Sequence, residues 1–267
     1  MSGPETFEVF AIKYATHDRD AAHNFLYPTD IHDGPMPLDY FVWAAVSKNR
    51  TYVIDTGFKA EIAAKRGRTF HRCPAEGLAL IGVDAATVTD VIVTHMHYDH
   101  VGNFDLFPNA RFHLQDREMA YATGRYMRHG AFRYAFEVED VVGMVRRVYA
   151  GRVVFHDGDA ELAPGLSLHH IGGHTDGLQS VRVLTRRGWI VVASDACHVY
   201  ANKDLANPFP IVLHVGKMME GWDRLRALAD SEDHIVPGHD PLVLKYYPPP
   251  DGKLAGIVCR LDVPPVK

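Results

Sequence analysis

The amino-acid sequence predicts one α/β domain that spans residues 1–267. Short apolar runs typical of strands alternate along the chain with segments whose apolar residues recur at helical spacing. No low-complexity linker and no internal repeat longer than this alternation divides the chain. A hydrophobic content of 47% over this length is enough to bury a sizeable core in one domain.

Strand patterns open the chain. Apolar runs predict four strands, at 9–12, 40–46, 51–54 and 90–94. The polar turn at 47–50 joins two of them as a hairpin. Helical patterns at 59–66 and, more weakly, at 78–83 separate the hairpin from the fourth strand.

The segment at 114–150 has a different residue pattern, with few runs typical of strands. Its aromatic and methionine residues lie at helical spacing: Met119, Tyr121, Tyr126, Met127, Phe132, Tyr134, Phe136 and Met144. This pattern predicts two amphipathic helices that cover a sheet. A second interpretation is that the segment also walls an apolar substrate pocket, with Tyr126, Met127 and Phe132 as lining residues.

Strand patterns return in the second half of the chain. They lie at 152–155, 166–171, 180–184, 189–193 and 234–236. The stretch at 216–230 predicts an amphipathic helix before the last of these strands. The Pro-rich tail that follows cannot build another domain.

Composition narrows the class of protein. A net charge of −5 argues against a nucleic-acid partner, and no apolar run reaches the length of a membrane-spanning helix. The N-terminus lacks the basic and apolar regions of a signal peptide. Three cysteines without a CxxC pair fit reduced thiols. We therefore expect a cytoplasmic protein with no nucleic-acid or membrane partner. Its 17 histidines are an excess that needs an explanation.

Seven histidine and aspartate residues explain part of that excess as one binuclear metal site. They are His95, His97, Asp99, His100, His174, Asp195 and His239. His95 and His97 lie two apart on an extended segment and can share one metal, while Asp99 and His100 follow where a helix should begin. The other three lie at later strand ends. A divalent metal bound there can turn water into a nucleophile, so the pattern predicts hydrolysis.

The joint pattern resembles the metallo-β-lactamase superfamily over about residues 38–240. It comprises Thr-His-x-His-x-Asp-His-x-Gly at 94–102, Gly-His-Thr at 173–175, a strand-end Asp195, Pro-Gly-His at 237–239 and Ile-Asp-Thr-Gly at 54–57. The resemblance implies an αββα four-layer sandwich, in which two mixed β-sheets are flanked by helices. It also implies one metal on His95, His97 and His174, and a second on Asp99, His100 and His239. Asp195 would bridge both, and Asp55 would orient the loop without binding metal.

Within the superfamily the chain is most similar to the N-acyl homoserine lactonase, or quorum-quenching lactonase, group. This likeness rests on the chain length, the all-His/Asp ligand set and the insert at 114–150. The insert would cover the active site. One position departs from it. These lactonases typically carry a tyrosine three residues after the bridging aspartate, where this chain has His198, with Tyr200 two residues further on. This departure concerns the identity of the substrate and leaves the prediction of hydrolysis unchanged.

The implied activity is the opening of a lactone ring, in an N-acyl homoserine lactone or a related small molecule. A hydroxide bridging two divalent metals would attack the ester carbonyl, with Asp99 accepting or relaying the proton and His198 or Tyr200 assisting the oxyanion. Zinc suits the ligand set best, although iron, manganese or cobalt could occupy it. The resemblance is also consistent with a homodimer.

Three alternatives remain at this point. Another ester or thioester hydrolase of the superfamily would keep the site, but a glyoxalase II-like enzyme needs a helical C-terminal region and only 28 residues follow His239. A mononuclear-iron persulfide dioxygenase shares part of the ligand set, and metal stoichiometry separates it. A non-catalytic binding module would not need all seven ligands.

Overall fold

The computed structural model describes residues 4–30, 32 and 34–266. The strands are β1 Glu8–His17, β2 Leu38–Val46, β3 Thr51–Ile54, β4 Thr69–Phe70, β5 Asp90–Ile92, β6 Arg111–Gln115, β7 Val153–His156, β8 Ala160–Ala163, β9 Leu166–His170, β10 Gln179–Thr185, β11 Gly188–Ser194, β12 Ile235–Pro237 and β13 Val258–Arg260. The helices are α1 Ala60–Arg66, α2 Pro74–Ala79, α3 Tyr98–Val101, α4 Asp116–Ala122, α5 Gly130–Arg133, α6 Val138–Tyr149, α7 Tyr200–Asp204, α8 Val215–Leu228 and α9 Leu242–Tyr246.

The strands form two mixed sheets. In the larger sheet the order is β13-β1-β2-β3-β5-β6-β7, with β4 pairing to β1. Its first half is antiparallel, and β3, β5, β6 and β7 run parallel. In the smaller sheet the order is β12-β11-β10-β9-β8, and only β12 runs parallel to its neighbour.

Side-chain alternation along the strands produces the layers. In β2, Phe41 and Trp43 face a core between the two sheets, whereas Tyr40 and Val42 face the helices α1, α2, α4 and α6. The smaller sheet is covered on its outer face by α8, through side chains such as Trp222. Helices therefore cover the outer face of each sheet, which confirms the αββα four-layer sandwich.

The segment at 114–150 differs in detail from the prediction. Residues 114 and 115 complete strand β6, and the remainder contains three helices, α4, α5 and α6, with a short 3₁₀ turn at Arg125–Arg128. The extra helix α5 has only four residues, too few to leave a periodic apolar pattern in the sequence. Within the described residues, every helix is too short or too polar to cross a membrane.

Candidate metal centre

All seven predicted ligands lie in loops or short helices that follow strand ends. His95 and His97 come after β5, and α3 begins directly after His97, so that Asp99 and His100 lie in its first turns. Asp195 and His239 follow the parallel neighbours β11 and β12. His174 lies in the loop between β9 and β10. Because parallel strands end at the same edge of a sheet, Asp195 and His239 come together there.

The seven side chains form two adjoining buried groups. One contains His95, His97, His174 and Asp195, and the other contains Asp99, His100 and His239; in each group the ligand atoms lie within 4.8 Å of one another. The Asp195 carboxylate connects them, with Oδ2 3.2 Å from His174 Nε2 and Oδ1 2.9 Å from His239 Nε2.

Hydrogen bonds orient four of the histidine rings. The acceptors for Nδ1–H are Thr94 Oγ1 for His95 (3.2 Å), Asp55 Oδ2 for His100 (2.7 Å), the Ile211 carbonyl for His174 (2.6 Å) and the Asp39 carbonyl for His239 (3.0 Å). Carbonyl and carboxylate oxygens only accept, and the Thr94 hydroxyl donates its only proton to Asp55 Oδ2, so Nδ1 carries a proton in each ring. The lone pair on Nε2 then faces the carboxylates and the other rings, as a metal ligand requires.

Several buried atoms in the centre have no hydrogen-bond partner among the residues that the structure describes. They are His95 Nε2, His100 Nε2 and Asp195 Oδ1. His100 Nε2 lies 3.3 Å from Asp195 Oδ1, and His95 Nε2 lies 3.7 Å from Asp195 Oδ2. Unpaired buried acceptors that face one another are unfavourable, and a cation between them satisfies all of them. Imidazole nitrogens and carboxylate oxygens are ligands for zinc and related divalent metals, so the residues fit such an ion.

The two carboxylates of the centre stay ionised despite their burial. Burial alone raises the pKa of Asp195, but His198, His239 and His100 outweigh it and hold that pKa well below its usual range. Burial also raises the pKa of Asp99, but His100 and His239 outweigh this effect, so the pKa of Asp99 is lowered as well. Both side chains therefore remain acceptors at neutral pH.

Asp55 supports the loop that carries the first ligands. Its carboxylate accepts from the backbone N–H of Thr94 (2.7 Å), the Thr94 hydroxyl (2.8 Å) and His100 Nδ1 (2.7 Å). Asp55 is fully buried, and its φ of 62° is a left-handed backbone conformation that is strained for a residue other than glycine. The Asp55 side chain is turned towards the loop that begins at Thr94 and towards the His100 imidazole.

His198 lies in the same cleft as the ligands. Its Nε2 is 2.9 Å from Asp195 Oδ2, and because a carboxylate accepts, the imidazole donates. Burial lowers the pKa of His198 to about 3, so the ring is neutral. The Nε2 proton is thus engaged by Asp195 in the absence of a substrate.

Tyr200 lies elsewhere, which corrects its prediction as a catalytic residue. Its ring packs beside Tyr246, at 5.8 Å between ring centroids, and against the core between the sheets. It borders a separate cavity together with Lys203 and Glu232. The physical reason is that Tyr200 opens α7, whose first turn directs the side chain away from the cleft that His198 enters.

The cleft over the ligands has a volume of about 170 Å³. From the segment at 114–150 it is lined by Tyr134 and Ala135, and not by the predicted Tyr126, Met127 and Phe132. Tyr126 is 47% exposed and borders a different cavity, while Met127 and Phe132 pack against the helix-covered core. The segment reaches the cleft, but with other residues than predicted.

No sequence pattern pointed to Glu118, which connects two ligand loops. Its buried carboxylate accepts from the Met96 N–H (2.8 Å), the Thr175 hydroxyl (2.6 Å) and the Gly177 N–H (3.1 Å). Gly177 approaches so closely that a Cβ there would lie 2.1 Å from the Glu118 nitrogen. Glu118 thereby fixes the loop of His95 and His97 relative to the loop of His174.

The two-sheet fold and the His/Asp cluster define a class of αββα proteins with a candidate metal centre at one edge of the sheets. The sequence model of the Metallo-beta-lactamase superfamily matches residues 35–239, and the chain belongs to this superfamily. Proteins named as N-acyl homoserine lactonases are among those to which it is similar.

Three similar proteins illustrate the relationship. The N-acyl homoserine lactonase AiiB of Agrobacterium fabrum is 28% identical over 175 residues, which cover 62% of this chain and 61% of that protein. AiiB of Rhizobium rhizogenes is 26% identical, with 72% and 76% covered. The human Metallo-beta-lactamase domain-containing protein 1 is 31% identical, with 61% and 52% covered. The first match thus spans about three fifths of its relative.

Solved structures share the fold. A quorum-quenching N-acyl homoserine lactone lactonase has a TM-score of 0.72 at 20% identity, with 90% of this chain and 94% of that chain covered. AidC, described as a dizinc quorum-quenching lactonase in complex with a product, has a TM-score of 0.68 at 16% identity, with 89% of each chain covered.

Proposed function

We propose that this protein is a binuclear metal-dependent hydrolase that opens the ring of a small lactone or cleaves a related carboxylic ester. The observation that carries the proposal is the division of seven buried His and Asp ligands into two groups that share Asp195. The names of the Agrobacterium and Rhizobium relatives support a lactone as the substrate.

In this proposal the ligands divide between two ions. His95, His97 and His174 would hold one, Asp99, His100 and His239 the other, and Asp195 both. Zinc is the ion we expect, with iron, manganese and cobalt as alternatives that suit the same atoms. Bound divalent metals of this kind polarise a carbonyl and lower the pKa of a water molecule to about 7.

The side chains around the ligands have separate tasks. Asp99 is ionised and lines the cleft, so it can take the proton that water loses during attack on the carbonyl and return it to the leaving alkoxide. His198 donates to Asp195 Oδ2 and keeps that carboxylate turned towards both groups. Phe209 lines the cleft, and the Phe136 ring packs 4.7 Å from that of His97, so these two apolar rings would limit the access of bulk water.

A substrate panel tests the proposal. We would assay metal-loaded protein against lactones, open-chain esters, thioesters and phosphodiesters, and repeat the assay with His97→Ala and Asp195→Ala. We expect turnover of lactones and esters that both variants lose while remaining folded. His129→Ala, which changes an exposed histidine outside the cleft, is the matched control and should keep its activity. A preference for phosphodiesters, or activity retained without Asp195, would overturn the proposal.

A further inference from the structure

Three basic side chains line the cleft beside the metal ligands. His17, Arg19 and Arg68 share this cleft with Asp99 and the histidines. They come from the end of β1, the turn after it and the turn before β4, so three separate chain segments converge on one position. A neutral substrate gives no reason for such a concentration of donors.

The two guanidinium groups have no carboxylate partner among the residues that the structure describes. Arg68 donates to three neutral acceptors: the Tyr98 hydroxyl (3.2 Å), His17 Nε2 (3.1 Å) and the Arg66 carbonyl (2.5 Å). Arg19 donates to the His23 carbonyl, and its buried Nε has no hydrogen-bond partner within the described part of the chain. Buried donors without partners are rare, and charge-assisted bonds to an anion satisfy them well.

His17 adds a third donor. Because the Arg68 guanidinium can only donate, His17 Nε2 accepts, and the neutral ring carries its proton on Nδ1. Burial, together with Arg68 and Arg19, lowers the pKa of His17 to about 4, which keeps the ring neutral at pH 7. That Nδ1 is itself buried with no partner among the described residues.

Aromatic neighbours hold both arginines in place. The Arg19 guanidinium lies 5.0 Å from the ring centroid of Phe209, which stacks on His198. Arg68 is bound to Tyr98, whose hydroxyl lies 3.0 Å from that of Tyr40. Arginine groups fixed in this way lose little freedom when they bind a planar anion.

We propose that Arg19, Arg68 and His17 form a carboxylate-binding subsite, so that the substrate is a lactone or ester that carries a carboxylate away from its scissile bond. This inference rests on the proposed function. The subsite would orient the substrate so that its ester carbonyl lies at the metal ligands. It also separates this chain from an enzyme for uncharged lactones.

Two matched esters test the subsite in the metal-loaded protein. Mono(4-nitrophenyl) glutarate carries a carboxylate, and 4-nitrophenyl butyrate does not. We expect a higher kcat/KM for the glutarate ester, and a loss of about ten- to hundredfold, mainly through KM, in Arg19→Gln and Arg68→Gln. The butyrate ester should change by less than about threefold. Arg68→Lys keeps the charge without the fork and should lose less than Arg68→Gln.

Arg72→Gln is the matched control, because Arg72 lies four residues from Arg68 and donates to the Lys13 carbonyl outside the cleft. It should leave both esters unchanged. Equal losses on both esters in the Arg19 and Arg68 variants would assign these residues to packing and overturn the subsite.

Failure of the proposed function looks different, because neither ester would then be hydrolysed even by the unaltered protein. In that case calorimetric binding of glutarate, with glutaramide as the neutral probe, still decides the subsite. Glutarate should bind the unaltered protein about tenfold or more tightly than Arg68→Gln. Equal binding by the two proteins would overturn the subsite by itself.

Discussion

The imidazole of His198 lies flat against the phenyl ring of Phe209, with 3.9 Å between ring centroids and 7° between ring planes. The same imidazole donates to Asp195 Oδ2, and Arg19 lies over the same phenyl ring. Phe209 therefore lies between the basic subsite and the carboxylate that connects the two ligand groups. His198 occupies the position at which the lactonase resemblance led us to expect a tyrosine.

His198→Phe should keep the stacked ring and remove only the donor to Asp195. We expect turnover to fall about ten- to hundredfold, with metal content nearly unchanged at saturating metal, because partners that orient a ligand contribute about this much. Steady-state kinetics and elemental analysis of the same preparation measure the two effects. Phe209→Leu keeps the donor and loses the stacking, so it should have the smaller effect on turnover. Unchanged kinetics in His198→Phe would assign this residue to packing.

The His/Asp cluster could be located from the sequence because its residues are concentrated in local motifs. Three imidazoles and a carboxylate within 95–100 are visible without any tertiary information, and Asp195 follows a continuous apolar run that predicts a buried strand. The longer strands, such as β2 and β11, were also predicted, because each contains a continuous apolar run. The short strands β4, β8 and β13 were missed, since two to four residues carry no period.

Contacts between distant segments could not be predicted from the sequence. Glu118 lies in a segment whose pattern is that of an ordinary amphipathic helix, and only the fold brings its carboxylate to Met96 and Gly177. Nothing in the sequence distinguishes Arg19 and Arg68 from the other arginines. They come together only because β1 pairs with β4. For Tyr200, spacing from Asp195 suggested proximity, but α7 turns the side chain away.

Removal of metal should destabilise the protein. The buried Nε2 lone pairs of His95 and His100 then face Asp195 without a cation. Saturating the centre at about a hundredfold above its dissociation constant adds about 2.7 kcal/mol to the free energy of unfolding. Thermal melting with chelator and with restored metal measures this difference, and His100→Ala should reduce it.

Elemental analysis of the purified protein should find close to two transition metals per chain. A value near one would contradict the binuclear assignment and favour the mononuclear alternative.

Glu118→Gln should weaken the centre although the hydrogen bonds of Glu118 go to Met96, Thr175 and Gly177 and not to a predicted ligand. An amide presents one acceptor oxygen where the carboxylate presents two, so one of the three donors, which include the Thr175 hydroxyl, loses its partner. We expect a loss of about 1–3 kcal/mol in the free energy of unfolding, and weaker metal binding. Urea denaturation and competition with a metal chelator measure these quantities. Asp116→Asn, an exposed change in the first turn of the same helix, should lower the free energy of unfolding by less than about 1 kcal/mol and leave metal binding unaltered.

The ionisation of Asp140, in the first turn of α6, should make the free energy of unfolding depend on pH. Burial, and then the neighbouring Glu137, raise the pKa of Asp140 to about 6, and its Oδ2 has no hydrogen-bond partner among the described residues. Between about pH 4 and 6 the native state therefore binds more protons at this site than the unfolded chain. The free energy of unfolding must fall as the pH rises through this interval, and the destabilisation is complete above it.

Asp140→Asn removes this ionisation while keeping the size of the side chain. We expect the variant to be about 1–2 kcal/mol more stable than the unaltered protein at pH 8, since part of the gain is offset by losing a favourable charge at the helix N-terminus. At pH 4 the advantage should vanish, because the carboxyl is then protonated in the native state. Comparing urea denaturation of the two proteins at each pH cancels the effect of acid on the histidine ligands. Glu139→Gln, at the neighbouring exposed position, reports the helix contribution alone. If Asp140→Asn is equally stable relative to the unaltered protein at both pH values, Asp140 has an ordinary pKa.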